Sequence, residues 1–582
     1  MKELKYLNKF FLKYKRKIII GILITIIARV FALVAPNLVG DSITLIENYF
    51  LDKSINNNDL KDKLLINIFL IISSAVLAGI FTFLMRQALI NVSRYIEYDL
   101  KNEIYNKYQV LNQSFYKNNR TGDLMNRISE DVSKVRMYVG PALMYTINTI
   151  ALFVIIISYM ISIAPLLTLY TIIPLPILSY LIFKLSKKIN IKSKKVQESL
   201  SKITTFTQES FSGISVIKSN TIEKEVINSM MNYSYDTKQK NIDLAKFQSW
   251  FFPMMILLIG VSNIIVIYVG GNQYINNQID LGVLAEFIIY VTMLTWPVAT
   301  VGWVTSIVQQ AEASQKRINE FLKVKSKIIN KSLKLYDVLG KIEFKNISLI
   351  YPETKVVALN NLSFEINQGK SLGIIGGVGS GKSTIAELIL RNYDPNNGEV
   401  LIDDKNIKKH NLNIIRQNIG YVPQNTFLFS DTILNNIKFG NIEASNDDVI
   451  TFAKFSNIHN DIDEFYNKYN SVLGERGINL SGGQRQRIAI SRALIKKPSI
   501  LILDDSLSAV DTETEDKIFK NILNNIPDCT KIVISHRIST VKYCDKIIVI
   551  NDGKKVEEGN HLKLVENGGY YYEIYNQQIK GK

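Results

Sequence analysis

The stretch SLGIIGGVGSGKSTIAELIL, residues 371–390, decides the fold of the carboxyl-terminal half of the chain. A short aliphatic strand runs into GGVGSGKS (376–383) and the sequence leaves this loop as a helix, which is the context that a phosphate-binding loop requires. Glycines let backbone amides surround phosphate oxygens, Lys382 is expected to reach the outer phosphates, and the Ser383 hydroxyl is expected to ligate Mg²⁺. The predicted nucleoside triphosphate site comprises Gly376, Gly377, Val378, Gly379, Ser380, Gly381, Lys382, Ser383 and Thr384.

A second buried strand, SILILDD (499–505), ends in two adjacent acids. In a parallel sheet its carboxyl end would lie beside the phosphate-binding loop, so Asp504, the first acid after the aliphatic run, is the predicted Mg²⁺ ligand. The alternative is an acid that caps the following helix, and Ser506 or Ser508 fits that role better.

The segment LSGGQRQR (480–487) is a third candidate for anion binding. Ser481, Gly482 and Gly483 would begin a helix whose free amides face outward, which favours an anion at that end. An ordinary helix start that contains glycine is an equally good interpretation of this segment taken alone.

The amino-terminal half is long and apolar. Since roughly 20 apolar residues span a bilayer, we predict six transmembrane helices. They are placed at 18–40, 64–90, 137–162, 165–184, 251–275 and 281–308. The first is interpreted as a retained anchor because its apolar length exceeds that of a signal peptide. The polar stretches at 91–136 and 185–250 are rich in helix formers, and each is predicted to form two helical arms about 35 to 40 Å long.

The net charge of +17 follows the positive-inside rule and does not indicate nucleic-acid binding, because no basic stripe alternates with exposed aromatic residues. The basic leader places the amino terminus in the cytoplasm, and six crossings return the chain there. Its cations are Lys2, Lys5, Lys9, Lys13, Lys15, Arg16 and Lys17. Cys529 and Cys544 lack metal-ligand spacing and are predicted to be reduced structural thiols.

Arg29 and Glu286 lie inside predicted crossings, where a charge is costly unless it faces protein or a water-filled cavity. Two interpretations stay open for them. They line a polar substrate path, or they are structural or snorkelling side chains.

From Tyr351 to His536 the order of the motifs resembles that of ATP-binding cassette (ABC) ATPases. With six crossings ahead of it, the whole chain resembles an ABC exporter half-transporter. The resemblance implies an α-helical membrane bundle fused to an α/β P-loop NTPase domain with a helical subdomain. It divides the chain into a transmembrane domain (1–310), a linker (311–340) and a nucleotide-binding domain (341–582), with ATP and Mg²⁺ as ligands.

The same resemblance implies a role for each motif residue. Tyr351 would stack on adenine, Gln424 in YVPQ would contact Mg²⁺ and the attacking water, and His536 in VISHR would contact the γ-phosphate. Ser481, Gly482, Gly483 and Gln484 would form the signature loop, and Asp511 would belong to the loop that couples two sites. LGERG (473–477) resembles the exporter segment that precedes the signature, and residues 115–131 and 208–220 resemble the regions of the coupling helices.

The resemblance also implies a dimer in the cytoplasmic membrane, because two cassettes enclose two ATP molecules and each site combines one chain's phosphate-binding loop with the other chain's signature. No internal repeat supplies a second half. The nucleotide-binding domain would be cytoplasmic.

The residue after the Mg²⁺ aspartate is normally a glutamate in this family, and here it is Asp505. Aspartate is one methylene shorter, so its carboxylate falls about an ångström short of the attacking water, and a displacement of that size can cost about a hundredfold in rate. We predict that this site binds ATP well and hydrolyses it poorly. The pattern favours a heterodimer whose partner carries the catalytic glutamate; a homodimer with two slow sites is the alternative.

The apolar crossings favour export of hydrophobic or amphipathic compounds, drug-like or lipid-like, coupled to ATP hydrolysis. A nucleotide-gated channel or sensor is the alternative from another functional class. The channel would carry ion current, whereas the pump would accumulate substrate against a gradient.

Overall fold

The computed structural model describes residues 2–51, 57–330, 334, 336–474 and 477–580, and these form two compact units. The first unit comprises residues 1–109 and 122–324, and the second comprises 110–121 and 325–582. Glu475 and Arg476 of the predicted exporter segment lie outside the described residues.

The first unit consists of helices. Their bounds are α1 Asn8–Lys13, α2 Lys15–Leu51, α3 Asn57–Val110, α5 Thr121–Asn126, α6 Val132–Met137, α7 Leu143–Ile163, α8 Pro165–Ile172, α9 Pro174–Ser212, α10 Ile214–Ser219, α11 Glu223–Ser249, α12 Phe251–Ile265, α13 Gly271–Ile275 and α14 Leu281–Lys323, while α4, Gln113–Asn118, belongs to the second unit. A 3₁₀ turn spans Glu3–Leu7, and π-helical segments at Arg127–Asp131, Tyr138–Ala142 and Val266–Gly270 join successive helices.

Five helical stretches among the described residues are long and apolar enough to cross a membrane. They are Lys15–Leu51, Asn57–Val110, Thr121–Ile163, Glu223–Ile275 and Leu281–Lys323, and each contains one predicted crossing. The remaining predicted crossing, 165–184, is shared between α8 and the beginning of α9. These two helices meet at Ile173, because Pro174 has no backbone N–H and starts a new helix.

The crossings pack through small residues. A Cβ at Gly282 of α14 would lie 2.1 Å from the carbonyl oxygen of Gly40 in α2, so only glycine allows this approach. Close to this crossing, Glu286 is 3% exposed and accepts a 2.6 Å hydrogen bond from the Tyr290 hydroxyl. The buried Nε of Arg29 has no hydrogen-bond partner among the described residues.

The long polar stretch at 185–250 is helical, as predicted. It contains the carboxyl-terminal part of α9 and the whole of α11, and these two helices pack against each other. The 27 residues of α11 extend about 40 Å. Ser199 and Thr237 share a buried 2.7 Å hydrogen bond between the two helices.

The second unit contains two β-sheets. The strands are β1 Ile342–Ile350, β2 Val357–Ile366, β3 Ser371–Gly376, β4 Asn397–Ile402, β5 Lys405–Asn406, β6 Ile419–Val422, β7 Ile500–Asp504, β8 Thr530–Ile534, β9 Lys546–Asn551 and β10 Lys554–Gly559. One sheet has the order β2-β1-β4-β5 and is antiparallel, and the other has the order β10-β9-β3-β8-β7-β6. In the larger sheet β9, β3, β8, β7 and β6 are parallel, so the loops after β3, β6, β7 and β8 emerge at one edge.

Helices surround the larger sheet. They are α15 Lys382–Ile389, α16 Leu412–Asn418, α17 Ile433–Lys438, α18 Asn446–Phe455, α19 His459–Glu464, α20 Gly482–Leu494, α21 Thr512–Asn525, α22 Ile538–Val541, α23 His561–Glu566 and α24 Tyr570–Lys580, with 3₁₀ turns at Ile407–Lys409 and Lys468–Asn470. Strands β3, β7 and β8 are fully buried, because helices or the second sheet cover both faces. Cys529 and Cys544 are free, buried thiols, and burial raises the pKa of Cys529 to about 12. Their burial agrees with the predicted structural role.

Candidate nucleotide site

The loop between β3 and α15 has a backbone path that glycine makes possible. Gly381 has φ +96°, and a Cβ there would lie 2.2 Å from the carbonyl oxygen of Ala358. Gly379 also has positive φ, +78°, but has open space around it. The two glycines let the chain turn back on itself before α15 begins at Lys382, so that the first amides of the helix follow directly on the loop.

The Lys382 ammonium lies inside this turn. The residue is only 5% exposed, and its Nζ donates to the carbonyl oxygens of Gly376 at 3.0 Å and Gly377 at 2.6 Å. Burial lowers the pKa of Lys382, and the nearby carboxylates of Asp504 and Asp505 partly oppose this shift. A cation buried in this way is stabilised by any anion that enters the loop.

Ser383 and Asp504 meet at the edge of the sheet, as the parallel topology requires. The Ser383 hydroxyl donates to Asp504 Oδ1 at 2.9 Å, and Asp504 is 3% exposed. Burial raises the pKa of Asp504, and the Ser383 hydrogen bond partly opposes this shift. A hydroxyl beside a carboxylate is a ligand pair that suits Mg²⁺.

This pair fits the way that proteins bind Mg²⁺ together with a nucleotide. Among the residues that the structure describes, no group of three or more His, Cys, Asp or Glu side chains could hold a metal ion by itself. Mg²⁺ is usually held by one or two protein oxygens together with substrate phosphates, and Ser383 and Asp504 supply that number beside the loop.

Asp505 follows β7 and faces the segment after β6. Its backbone N–H donates to the carbonyl oxygen of Ile534 at 2.8 Å, and its Oδ2 accepts a 3.2 Å hydrogen bond from Gln424 Nε2. Its φ is +46°, a region in which aspartate and asparagine are enriched among residues other than glycine. Asp505 therefore contacts the loop after β6 through its carboxylate and the end of β8 through its backbone N–H.

Tyr351 lies beside the first turn of α15. Its hydroxyl is 3.1 Å from Thr384 Oγ1, and its ring makes an edge contact with Tyr393 at 5.1 Å between centroids. Lys117 of α4 places its Nζ 5.4 Å from the Tyr351 ring centroid and 5.1 Å from that of Tyr393. Neither Tyr393 nor Lys117 was predicted, although Lys117 lies in the segment 115–131 that resembles a coupling-helix region.

The predicted signature segment begins α20. Ser481 is the N-cap and forms a capping box with Gln484: the Gln484 N–H donates to Ser481 Oγ at 3.2 Å, and Gln484 Oε1 accepts from the Ser481 N–H at 3.0 Å. Gln484 Nε2 also donates to Asp461 at 3.1 Å. Two residues after Gln484, Gln486 Oε1 accepts from the Ala509 N–H at 3.1 Å, which ties α20 to the loop after Asp505.

His536 follows β8, and the next residue, Arg537, connects it to the loop after Asp505. The Arg537 guanidinium donates to the carbonyl oxygens of Ser508 at 2.8 Å and Val510 at 3.2 Å. It also pairs with the buried Glu515 at 3.3 Å. Arg537 was not predicted from the sequence, although its position directly after His536 was a usable signal.

Asp511 ends the same loop by capping α21. Its Oδ1 accepts from the Thr514 N–H at 2.9 Å, and this hydrogen bond lowers the pKa of Asp511. The arrangement fixes the end of the loop between β7 and α21.

A membrane-spanning helical unit joined to an α/β unit with a phosphate-binding loop defines a class of ATP-driven membrane transporter. The sequence matches two family models: the ABC transporter transmembrane region over residues 18–298, and the ABC transporter over residues 359–508. The chain belongs to the ABC transporter family. It is an exporter half-transporter, with one transmembrane domain and one ATP-binding domain that couples ATP hydrolysis to transport.

Curated relatives match between 83% and 99% of the chain. The uncharacterized ABC transporter ATP-binding protein YknU of Bacillus subtilis is 38% identical over 485 residues, 83% of each chain. The multidrug resistance-like ATP-binding protein MdlA of Buchnera aphidicola subsp. Schizaphis graminum is 33% identical over 99% of this chain and 98% of that relative. The ATP-dependent lipid A-core flippase of Pseudomonas syringae pv. tomato is 32% identical over 87% of this chain and 84% of that relative.

Among solved structures, that of a bacterial Atm1-family ABC exporter with ATP bound has a TM-score of 0.81 to this chain. The alignment covers 97% of this chain and 99% of the Atm1-family chain at 24% identity. The two proteins therefore share the exporter fold. The predicted fold class is therefore confirmed.

Proposed function

We propose that the chain is the weakly hydrolytic subunit of a heterodimeric exporter in the cytoplasmic membrane, with its nucleotide-binding domain in the cytoplasm. The partner is a second half-transporter that carries glutamate after its Mg²⁺ aspartate. The transported compounds are hydrophobic or amphipathic, drug-like or lipid-like. Two relatives support this range, since one is named for multidrug resistance and another for lipid A-core flipping.

The observation that carries the proposal is Asp505. Its side chain stands where the family has glutamate, and its Oδ2 already accepts from Gln424. The carboxylate is one methylene short of the family position, and a general base acts only within hydrogen-bond reach of the proton that it takes. The φ of Asp505, +46°, lies in a region that aspartate adopts more often than most other residues.

Binding of ATP depends on other residues. Gly379 and Gly381 shape the loop, Lys382 offers a buried cation, and Ser383 with Asp504 would hold Mg²⁺. Bound Mg²⁺ would neutralise phosphate charge as the γ-phosphoryl group leaves. The remaining assignments are proposed on the family pattern: Tyr351 stacks on adenine, Gln424 contacts Mg²⁺ and water, and His536 contacts the γ-phosphate.

In the proposed dimer the signature of this chain, Ser481 to Gln484, completes the partner's site. The capping box uses the Ser481 hydroxyl and the backbone N–H groups of Ser481 and Gln484, which leaves the backbone N–H groups of Gly482 and Gly483 for a phosphate from another chain. Fast hydrolysis then takes place at the partner's glutamate.

Purification of the tagged chain from its native membrane tests the assembly. We expect a second half-transporter in one-to-one ratio with the tagged chain, and its sequence should carry glutamate after the Mg²⁺ aspartate. Recovery of copies of this chain alone, in a complex that transports, would support the homodimer instead.

A further inference from the structure

The last helix of the chain holds the segment that carries His536. Gln578 of α24 donates from Nε2 to the carbonyl oxygen of His536 at 2.7 Å, and its Oε1 accepts from the Ile538 N–H at 2.9 Å. One side-chain amide therefore bonds the backbone on both sides of Arg537. A pair of hydrogen bonds in opposite directions fixes both the position and the orientation of a backbone segment.

Within the segment, the Arg537 N–H donates to Ser535 Oγ at 3.0 Å, and the Ser535 N–H donates to the carbonyl oxygen of Ile374 at 3.1 Å. Ile538 starts α22, whose N-cap residue Arg537 makes no capping hydrogen bond with its side chain, so the first amide of the helix depends on Gln578. Gln578 also borders a cavity of about 880 Å³ that Asp511, Lys542, His561 and Tyr575 help to line.

On the opposite side the segment is tied to the loop after Asp505. Arg537 reaches the carbonyl oxygens of Ser508 and Val510, and its charge is paired with Glu515. His536 therefore sits between two attachments: Arg537 fixes it relative to the β7–α21 loop, and Gln578 fixes it relative to α24.

We propose that Gln578 is a positioning residue for His536, so that the carboxyl-terminal helix sets the reach of the His536 imidazole toward the terminal phosphate. The inference rests on the proposed γ-phosphate contact of His536. Gln578 does not touch the nucleotide in this account. Its loss moves His536 and weakens the contact that distinguishes ATP from ADP.

The test uses the full-length chain, purified with whatever subunit it carries. The variants are Gln578→Ala, Gln578→Glu and, as the matched control, Gln577→Ala, since Gln577 is the exposed neighbour on the same helix. The unfolding temperature of each variant is measured without nucleotide, with MgADP and with MgATP. The difference between the MgATP and MgADP shifts reports the γ-phosphate contact, because a ligand that binds the folded state stabilises it.

We expect Gln578→Ala to reduce that difference by about half or more while the MgADP shift stays unchanged. Gln578→Glu keeps the acceptor for the Ile538 N–H but places a carboxylate against the His536 carbonyl oxygen. Its difference between the MgATP and MgADP shifts should therefore lie between those of Gln578→Ala and wild type. In an Asp505→Glu background, which gives this chain's site a longer base, Gln578→Ala should lower the ATP turnover about tenfold. Gln577→Ala should match wild type in all of these measurements.

A His536→Ala background separates positioning from general stability. If Gln578 acts through His536, adding Gln578→Ala to His536→Ala leaves the ATP-minus-ADP difference unchanged, since coupled residues are not additive. Additive losses, equal losses with MgADP and MgATP, or a Gln578→Ala protein that behaves like wild type would each overturn the inference. A His536→Ala protein with a normal ATP-minus-ADP difference would instead contradict the proposed role of His536 itself.

Discussion

Gln424 Nε2 and Asp505 Oδ2 are 3.2 Å apart, which joins the loop after β6 to the acid at the end of β7. Both side chains would face the attacking water in the family arrangement. In this chain the shorter side chain of Asp505 ends at its hydrogen bond with Gln424. The Gln424–Asp505 hydrogen bond is compatible with nucleotide binding, because neither residue takes part in the hydrogen bonds that Lys382 makes to Gly377 and Ser383 makes to Asp504.

Replacement of Lys382 should remove nucleotide binding. Lys382→Ala takes away the buried cation in the loop, and we expect MgATP affinity to fall by about a hundredfold or more, since a charged hydrogen bond to a buried partner contributes about 1.5 to 3 kcal/mol and this lysine would make more than one. Equilibrium titration with labelled ATP measures the change. Lys408→Ala, an exposed lysine in the same unit, should bind like wild type; equal losses in both variants would contradict the account of the loop.

Alanine substitutions at Gly381 and Gly568 distinguish the cost of a steric collision from the cost of a left-handed backbone. Both have positive φ, but a Cβ at Gly381 would collide with the carbonyl oxygen of Ala358, whereas Gly568 has nothing within 4 Å. Gly568→Ala should cost only the left-handed backbone, about 1 to 2 kcal/mol of unfolding free energy. Gly381→Ala should cost more and should also weaken ATP binding. Thermal unfolding of the two variants tests this, and equal costs would show that the loop can shift to admit a methyl group.

The buried carboxylate of Asp504 should make the nucleotide-free protein less stable as pH rises. Because burial raises the pKa of Asp504 above its value in the unfolded chain, the folded state binds more protons in the interval between the two pKa values. Stability is therefore lost on going upward from pH about 4 through the folded pKa. Asp504→Asn removes the buried charge and should raise the unfolding temperature at neutral pH without nucleotide, but not at pH below about 4.

The same variant should abolish the Mg²⁺ dependence of ATP binding, because one of the two proposed protein ligands is gone. Titrations with and without Mg²⁺ measure this at neutral pH. An Asp504→Asn protein that still binds ATP more tightly with Mg²⁺, to the wild-type extent, would contradict the assignment of this ligand.

The Gly40–Gly282 crossing should be the most sensitive small-residue contact between α2 and α14. Gly282→Ala forces the helices apart because its Cβ would lie 2.1 Å from the Gly40 carbonyl oxygen, and we expect a loss of about 1 to 3 kcal/mol. Gly79→Ala, in open space on α3, should be neutral or slightly stabilising. Unfolding of the two variants in the same detergent gives the comparison; a Gly282→Ala protein as stable as Gly79→Ala would show that the crossing is loose.

The sequence predicted the approach of Ser383 to Asp504 more directly than the contacts around them. GGVGSGKS and SILILDD are local patterns, and the parallel sheet brings Ser383 to Asp504 without further information. Gln578 was not predictable, because a glutamine on the last helix is an ordinary surface residue until the fold places it against His536. Lys117 lies in the predicted coupling-helix region 115–131, but its contact with Tyr351 depends on the fold, which brings α4 to that tyrosine.

In the membrane half, too, the sequence predicted local features better than those that depend on tertiary contacts. Apolar length predicted the positions of the crossings, and it also suggested a continuous helix over 165–184, where the chain instead begins a new helix at Pro174. Proline was visible in the sequence, but prolines are also tolerated inside membrane helices, as Pro36 and Pro297 are here. Which proline interrupts a helix is decided by its tertiary neighbours.

The central claim, that Asp505 is too short for fast hydrolysis, is tested most directly by the steady-state ATP turnover of the purified full-length chain and its Asp505→Glu variant. Asp552→Glu is the matched control, because Asp552 is exposed and has the same φ of +46°. We predict slow turnover in wild type, an increase of about tenfold to a hundredfold in Asp505→Glu, and no change in Asp552→Glu. Brisk ATP cleavage by the wild-type chain with no other subunit present, or an Asp505→Glu variant no faster than wild type, would contradict the account.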